Sequence, residues 1–277
     1  MNIELIKYIK KPNTIDKGTL YIGEVDIKTL KKEPKRNIRI YLPSNYDDKK
    51  RFPVIYMMDG KNLFDKYTSF AGEWGIDEII EERVKNNEQA YIIVGIDSAK
   101  DGFVRIEEML PNNKNLAYNN EISCNVDSYG EILAQWIVEE LKPFIDKTFK
   151  TITDTSSTAI AGSSMGGLFS FYLGYKYQDI FGMMFSFSPA FCLYQEKYYA
   201  EELSKLQITN HKQKLYLLVG DIEYENQFVS LTKHTYEQLK DKLTNNIKYV
   251  HDKEGIHHET FWNKYFNDAI KYWENNN

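Results

Sequence analysis

The chain has 277 residues, of which 42% are hydrophobic and 14% aromatic, enough material for a sizeable core. Forty acidic against thirty-five basic residues leave a net charge of -5 with the signs interspersed, so no basic stripe exists to neutralise phosphates and no nucleic-acid partner is expected. Cys124 and Cys192 stand in no metal-ligand spacing, which speaks against a disulfide framework and a zinc site, and no window approaches a membrane span.

The stretch from Met1 to Tyr8 is broken by charges before an apolar signal core could form, which predicts no secretory leader and a cytoplasmic protein. Apolar residues alternate over 19–30 and 37–42, the mark of half-buried strands, here an antiparallel pair entering a sheet. Residues 53–58 form a continuous apolar run, as expected of a strand buried on both faces, and end in Asp59-Gly60-Lys61-Asn62. Ile79, Ile80 and Val84 are spaced as on a helix, residues 90–96 read as a second buried strand, and Arg105 to Pro111 reads as a loop braced by an Arg105–Glu108 ion pair. A long amphipathic helix is expected over Ile132 to Ile145.

Strands follow at 159–161, 182–187, 214–219 and 248–251, with helices over 228–243 and 261–273. Alternating strands and helices specify an α/β fold with a mostly parallel, doubly wound sheet and helices on both faces. No repeat or linker divides the chain, so one domain over 1–277 is expected, with 1–18 as an N-terminal extension and 275–277 as a disordered tail.

Gly162-Ser163-Ser164-Met165-Gly166 has the form G-x-S-x-G between a strand signal and a helix signal, the setting of a nucleophile elbow. The backbone N–H of Met165, at the start of that helix, would be one oxyanion donor. The second would come from the loop after residues 53–58, with Lys61 first and Asn62 second. A serine hydroxyl needs a base. Chain order places it in Gly255-Ile256-His257-His258-Glu259, where position alone does not separate His257 from His258; Gly255 would permit the turn. His211 and His234 read as surface residues and His251 as a strand-end neighbour. The acid is expected after the preceding strand, at Asp221, Glu223 or Glu225. Trp74, Asn62, Phe191 and Tyr194 are candidates to line a substrate pocket.

Several segments together resemble the esterase family of α/β-hydrolases that includes enterochelin esterase, esterase D (S-formylglutathione hydrolase) and feruloyl and acetyl xylan esterases. They are Tyr41-Leu42-Pro43 with Tyr46, residues 53–64, Arg105 through Pro111, Gly162 through Gly167, Ser188-Pro189-Ala190, Gly220 to Glu223, and His257-His258-Glu259 with Trp262. The likeness runs over 19–273. The family's histidine commonly stands five residues before a tryptophan, which implies His257 as base. Its acid typically lies three residues after a strand-ending glycine, which implies Glu223, although feruloyl esterases often carry Asp there. The resemblance implies an α/β-hydrolase fold and ester hydrolysis by Ser164, His257 and Glu223, with a small-molecule ester as partner and no metal or organic cofactor. Siderophore trilactones, thioesters, and aromatic or aliphatic esters all remain open as substrates. An acyltransferase or a non-catalytic scaffold of the same fold are the readings from other classes, and a homo-oligomer stays open.

Overall fold

The computed structural model describes residues 3–9, 11–117, 126–223, 227–244 and 246–275. Among the described residues, nine strands form one sheet in the order β1-β2-β3-β5-β4-β6-β7-β8-β9. The antiparallel entry comprises β1 (Ile6–Lys7), β2 (Thr19–Asp26) and β3 (Lys35–Leu42), with β3 antiparallel to β5 (Ile92–Ile96). From there the sheet is parallel through β4 (Val54–Met58), β6 (Thr158–Ser163), β7 (Met183–Phe187), β8 (Lys214–Ile222) and β9 (Ile247–Ile256). The continuous apolar runs of β4, β5 and β7 are buried at every position, because helices cover the sheet on either side.

The helices are α1 (Ile76–Lys85), α2 (Gly102–Met109), α3 (Gly130–Trp136), α4 (Lys142–Thr148), α5 (Met165–Lys176), α6 (Glu196–Lys205), α7 (Gln227–Leu239) and α8 (Glu259–Glu274). Alternation along β7 shows both faces in use. Phe185 and Phe187 pack against Phe266 of α8 at 5.9 and 6.1 Å between ring centroids. Their neighbours face the other way: Met184 lies against Gly174 of α5, and the Ser186 hydroxyl donates to the Gly167 carbonyl at 2.8 Å.

Several elements differ from the sequence reading, among them the last strand, which runs over Ile247–Ile256 rather than 248–251. Residues 102–109 are helical rather than a loop, because the Asp101 side chain accepts from the N–H groups of Phe103 and Val104 and caps a helix there. The long helix before the elbow runs from α3 through a π-helical turn (Ile137–Leu141) into α4. Helix α6 gave no periodic signal because only Tyr199 and Leu203 of its ten residues are buried. Part of the expected extension joins the sheet as β1, where Ile6 pairs with Ile22.

Candidate active site

Strand β6 runs straight into α5 through Ser164, whose φ of 56° and ψ of −120° are costly for a residue with a side chain. Surrounding bonds hold it there. The Ser164 N–H donates to the Phe187 carbonyl at 2.9 Å, and the Ser164 carbonyl accepts from Leu168 and Ala190, each at 3.0 Å. A Cβ on Gly162 would lie 2.4 Å from the Gly166 carbonyl oxygen, so the turn closes only with glycine at that position. Met165 is the first residue of α5, where backbone N–H groups have no partner within the helix.

One residue past Ser164's backbone partner Phe187, the Ser188 N–H donates to the Leu218 carbonyl of β8 at 2.7 Å, and β8 and β9 end close by. Glu223 and His257 meet there, with Oε2 2.5 Å from Nδ1, and their side chains are only 1% and 10% exposed. The other carboxylate oxygen of Glu223 accepts from the Gly220 N–H at 2.9 Å and from the Ser188 hydroxyl. Trp262 and Phe228 stand edge-on to the imidazole at 5.2 and 5.1 Å. Gly255 serves a close approach rather than a turn: it belongs to β9, and a Cβ on Gly220 would lie 2.3 Å from its carbonyl oxygen.

The remaining candidates go elsewhere. Asp221 pairs with His251 on the exposed side of the same strands. Glu225 and Cys124 lie outside the described residues. His258 caps α8, accepting from the Thr260 N–H at 3.1 Å on Nδ1, and its Nε2 donates to the Ala71 carbonyl at 3.2 Å. His211 is exposed, whereas His234 is half-buried on α7 with Nε2 enclosed.

Beyond β4, Asp59 adopts a left-handed conformation (φ 55°) and opens a single 3₁₀ turn over Gly60–Asn62. The Asn62 N–H closes that turn onto the Asp59 carbonyl at 2.9 Å, which removes it as an anion donor. The Lys61 N–H has no hydrogen-bond partner among the described residues. Asn62 is not a free pocket residue either, because its side chain donates to Glu259 at 3.1 Å and accepts from the Phe70 N–H at 3.0 Å. Arg105 does not pair with Glu108. It grips Asp59 with two bonds of 2.7 and 2.6 Å, while Glu108 binds Arg36. Ser98 adds a third bond to Asp59 at 2.7 Å. Burial alone would push the Asp59 carboxyl up, but the Arg105 guanidinium outweighs it and holds the group below its ordinary value. Asp59 also abuts the elbow: a Cβ on Gly166 would lie 3.3 Å from its Oδ2.

Trp74 and Phe191 are corrected from pocket residues to core residues. Trp74 is 1% exposed, enclosed by Phe187, Trp262 and Phe266, and Phe191 is 0% exposed, packed between Phe171 and Tyr199. Tyr194 does reach a cavity of about 370 Å³, which Leu168, Phe171, Tyr172 and Tyr198 also line and which begins one turn of α5 from Ser164. Glu73, Asp77 and Glu78 bring carboxylate oxygens within 4.8 Å of one another. Burial, and then Glu78, pushes the Asp77 carboxyl well above the usual carboxylate range. Sequence reasoning missed Asp59 and Ser188. Their positive φ values and their partners 46 and 35 residues away leave no local signal.

Against known proteins, residues 29–273 match the family described as "Putative esterase". The uncharacterized protein YbbA of Bacillus subtilis (strain 168) is 22% identical over 250 residues, covering 86% of this chain and 92% of that protein. Among solved structures, a ferulic acid esterase superposes with a TM-score of 0.67 at 15% identity, covering 93% of this chain and 97% of its own. The enterobactin esterase FES from Shigella flexneri, solved in the presence of enterobactin, gives 0.69 at 18% identity, covering 99% of this chain and 59% of that one. At such identities the solved structures establish a shared fold.

Proposed function

Since the chain belongs to the esterase family and is a carboxylic ester hydrolase, we propose that it works as a serine carboxylesterase through an acyl-enzyme, with Ser164 as nucleophile, His257 as base and Glu223 as acid. The observation that carries this reading is the convergence around Ser188. The Ser164 backbone is bonded to Phe187 and Ala190 on either side of it. The Ser188 hydroxyl in turn reaches Glu223, which holds His257.

Glu223 engages Nδ1, so Nε2 is the imidazole atom that takes the Ser164 proton as the hydroxyl attacks the ester carbonyl. The backbone N–H groups of Lys61 and Met165 receive the oxyanion. His257 then protonates the departing alcohol, and water repeats the sequence on the acyl-enzyme. As substrates we propose small to medium esters, with a bulky or aromatic group favoured. The tyrosine-lined cavity beside α5 supports that preference, as does the likeness to a ferulic acid esterase and an enterobactin esterase.

The test is a fluorophosphonate label, followed by turnover of p-nitrophenyl esters from acetate to octanoate and of a feruloyl ester. Ser164 should carry the label, and Ser164→Ala should lose both the label and about a millionfold in kcat. Label on another residue, or turnover that survives Ser164→Ala, overturns the mechanism.

A further inference from the structure

Trp262 stands five residues after His257, and the geometry gives that spacing a physical cause. His258 is the N-cap of α8, so His257 occupies the position before the cap and Trp262 the fourth helical position. These two positions face each other in a hydrophobic staple, the contact that fixes how a chain enters a helix. Here the stapled residue is the imidazole, with the rings 5.2 Å apart and 85° between their planes.

The indole also has a polar end. Its Nε1–H can only donate, and it donates to the Ser188 hydroxyl oxygen at 2.9 Å. With that oxygen accepting from Trp262, the Ser188 hydrogen is directed to the other neighbour, Oε1 of Glu223. Ser188 is fully buried and held at φ 40°, a conformation a residue with a side chain keeps only when its surroundings impose it.

We infer that Trp262 and Ser188 are positioning residues that act as one unit. The indole edge sets the His257 ring, while the indole N–H, relayed through the Ser188 hydroxyl, sets the Glu223 carboxylate that faces it. The inference rests on the proposed roles of His257 and Glu223. A misplaced acid or base slows proton transfer without touching substrate binding, so the unit should act on kcat and leave KM alone.

The test measures kcat per active site titrated with fluorophosphonate. Trp262→Phe keeps a ring edge and loses the N–H; Trp262→Leu loses both. Ser188→Gly and Ser188→Ala both lose the hydroxyl, but only glycine adopts φ 40° freely. Ser188→Gly, Ser188→Ala and Trp262→Phe should each lower kcat roughly 10–100-fold, with KM within about twofold, and Trp262→Leu should lower it further. The double variant Ser188→Gly/Trp262→Phe should be no slower than Ser188→Gly alone, because each change breaks the same relay. Unchanged kcat, full additivity in the double variant, or recovery in Ser188→Gly of what Ser188→Ala loses would each overturn the relay. Activity that survives Ser164→Ala would instead sink the parent mechanism, so the two failures are distinguishable.

Discussion

Strands β8 and β9 carry one carboxylate–imidazole pair and hold a second at the residues just past their ends. Asp221 and His251 meet at 2.5 Å, and so do Glu223 and His257. Both join a carboxylate to an imidazole at the same distance, so neither feature can be what makes one pair a candidate for chemistry. Asp221 and His251 are 42% and 31% exposed, against 1% and 10% for the inner pair. Water competes for every bond of the outer pair, whereas the inner carboxylate is ringed by Gly220, Ser188 and His257. Enclosure and extra donors fix the orientation of the inner carboxylate and imidazole, which the proposed acid and base roles require.

The largest effect that could break this contrast is at the imidazoles. His257→Ala should lower kcat on p-nitrophenyl esters by about a millionfold, as loss of the base does in serine hydrolases. His251→Ala, measured in the same assay, should stay within about twofold. Equal losses would mean that the outer pair shares the chemistry. The acids come next. Glu223→Gln should cost roughly 10³–10⁴ in kcat, less than loss of the base because imidazole remains to take the proton. Asp221→Asn should again be silent, and a large loss there would reverse the assignment.

The elbow was legible in the chain because its backbone tolerates few residue types: Gly162 and Gly166 mark the turn before any contact is known. The buried strands were legible for the same reason, since a strand covered on both faces must be apolar throughout. The two pairs were not separable by pattern. Asp221 and Glu223 are two residues apart, the spacing that puts side chains on one face of a regular strand. A register shift between Gly220 and Ile222 interrupts the ladder there, and one acid goes to His251 and the other to His257. Only the resemblance, through the spacings from Gly220 and Trp262, singled out Glu223 and His257. The ties of Asp59 to Arg105 and of Ser188 to Trp262 join residues 46 and 74 apart in sequence, beyond what local periodicity carries.

Asp59 extends the contrast to a third carboxylate, this one beside the proposed oxyanion loop. Asp59→Asn isolates its charge, because asparagine also accepts a left-handed backbone at φ 55°. Near neutral pH the variant should be less stable by about 1–3 kcal/mol, since the half-buried Arg105 loses its counter-charge. The sign with pH follows from the folded carboxyl lying below its unfolded value of about 3.9. Its contribution is whole above that unfolded value and is lost as pH falls through the folded one. Urea unfolding from about pH 6 down to about pH 2 should therefore show the gap between wild type and variant closing on the acid side. A gap that stays constant would mean that packing rather than charge holds the loop.

The smallest effect is the strictest check on the outer pair. Asp221→Asn, His251→Ala and the double variant form a thermodynamic cycle in which the pair's own coupling separates from what each residue does alone. With both side chains about a third or more exposed, the Coulomb gain is dissipated in solvent and partly cancelled by the entropy of fixing two side chains. The coupling should fall between about 0 and 1 kcal/mol. It should also shrink as salt rises from about 0.05 to about 0.5 M, because mobile ions reach the pair. A coupling above about 2 kcal/mol, or one indifferent to salt, is the behaviour of a shielded pair. The difference in enclosure would then no longer explain why the two imidazoles part ways.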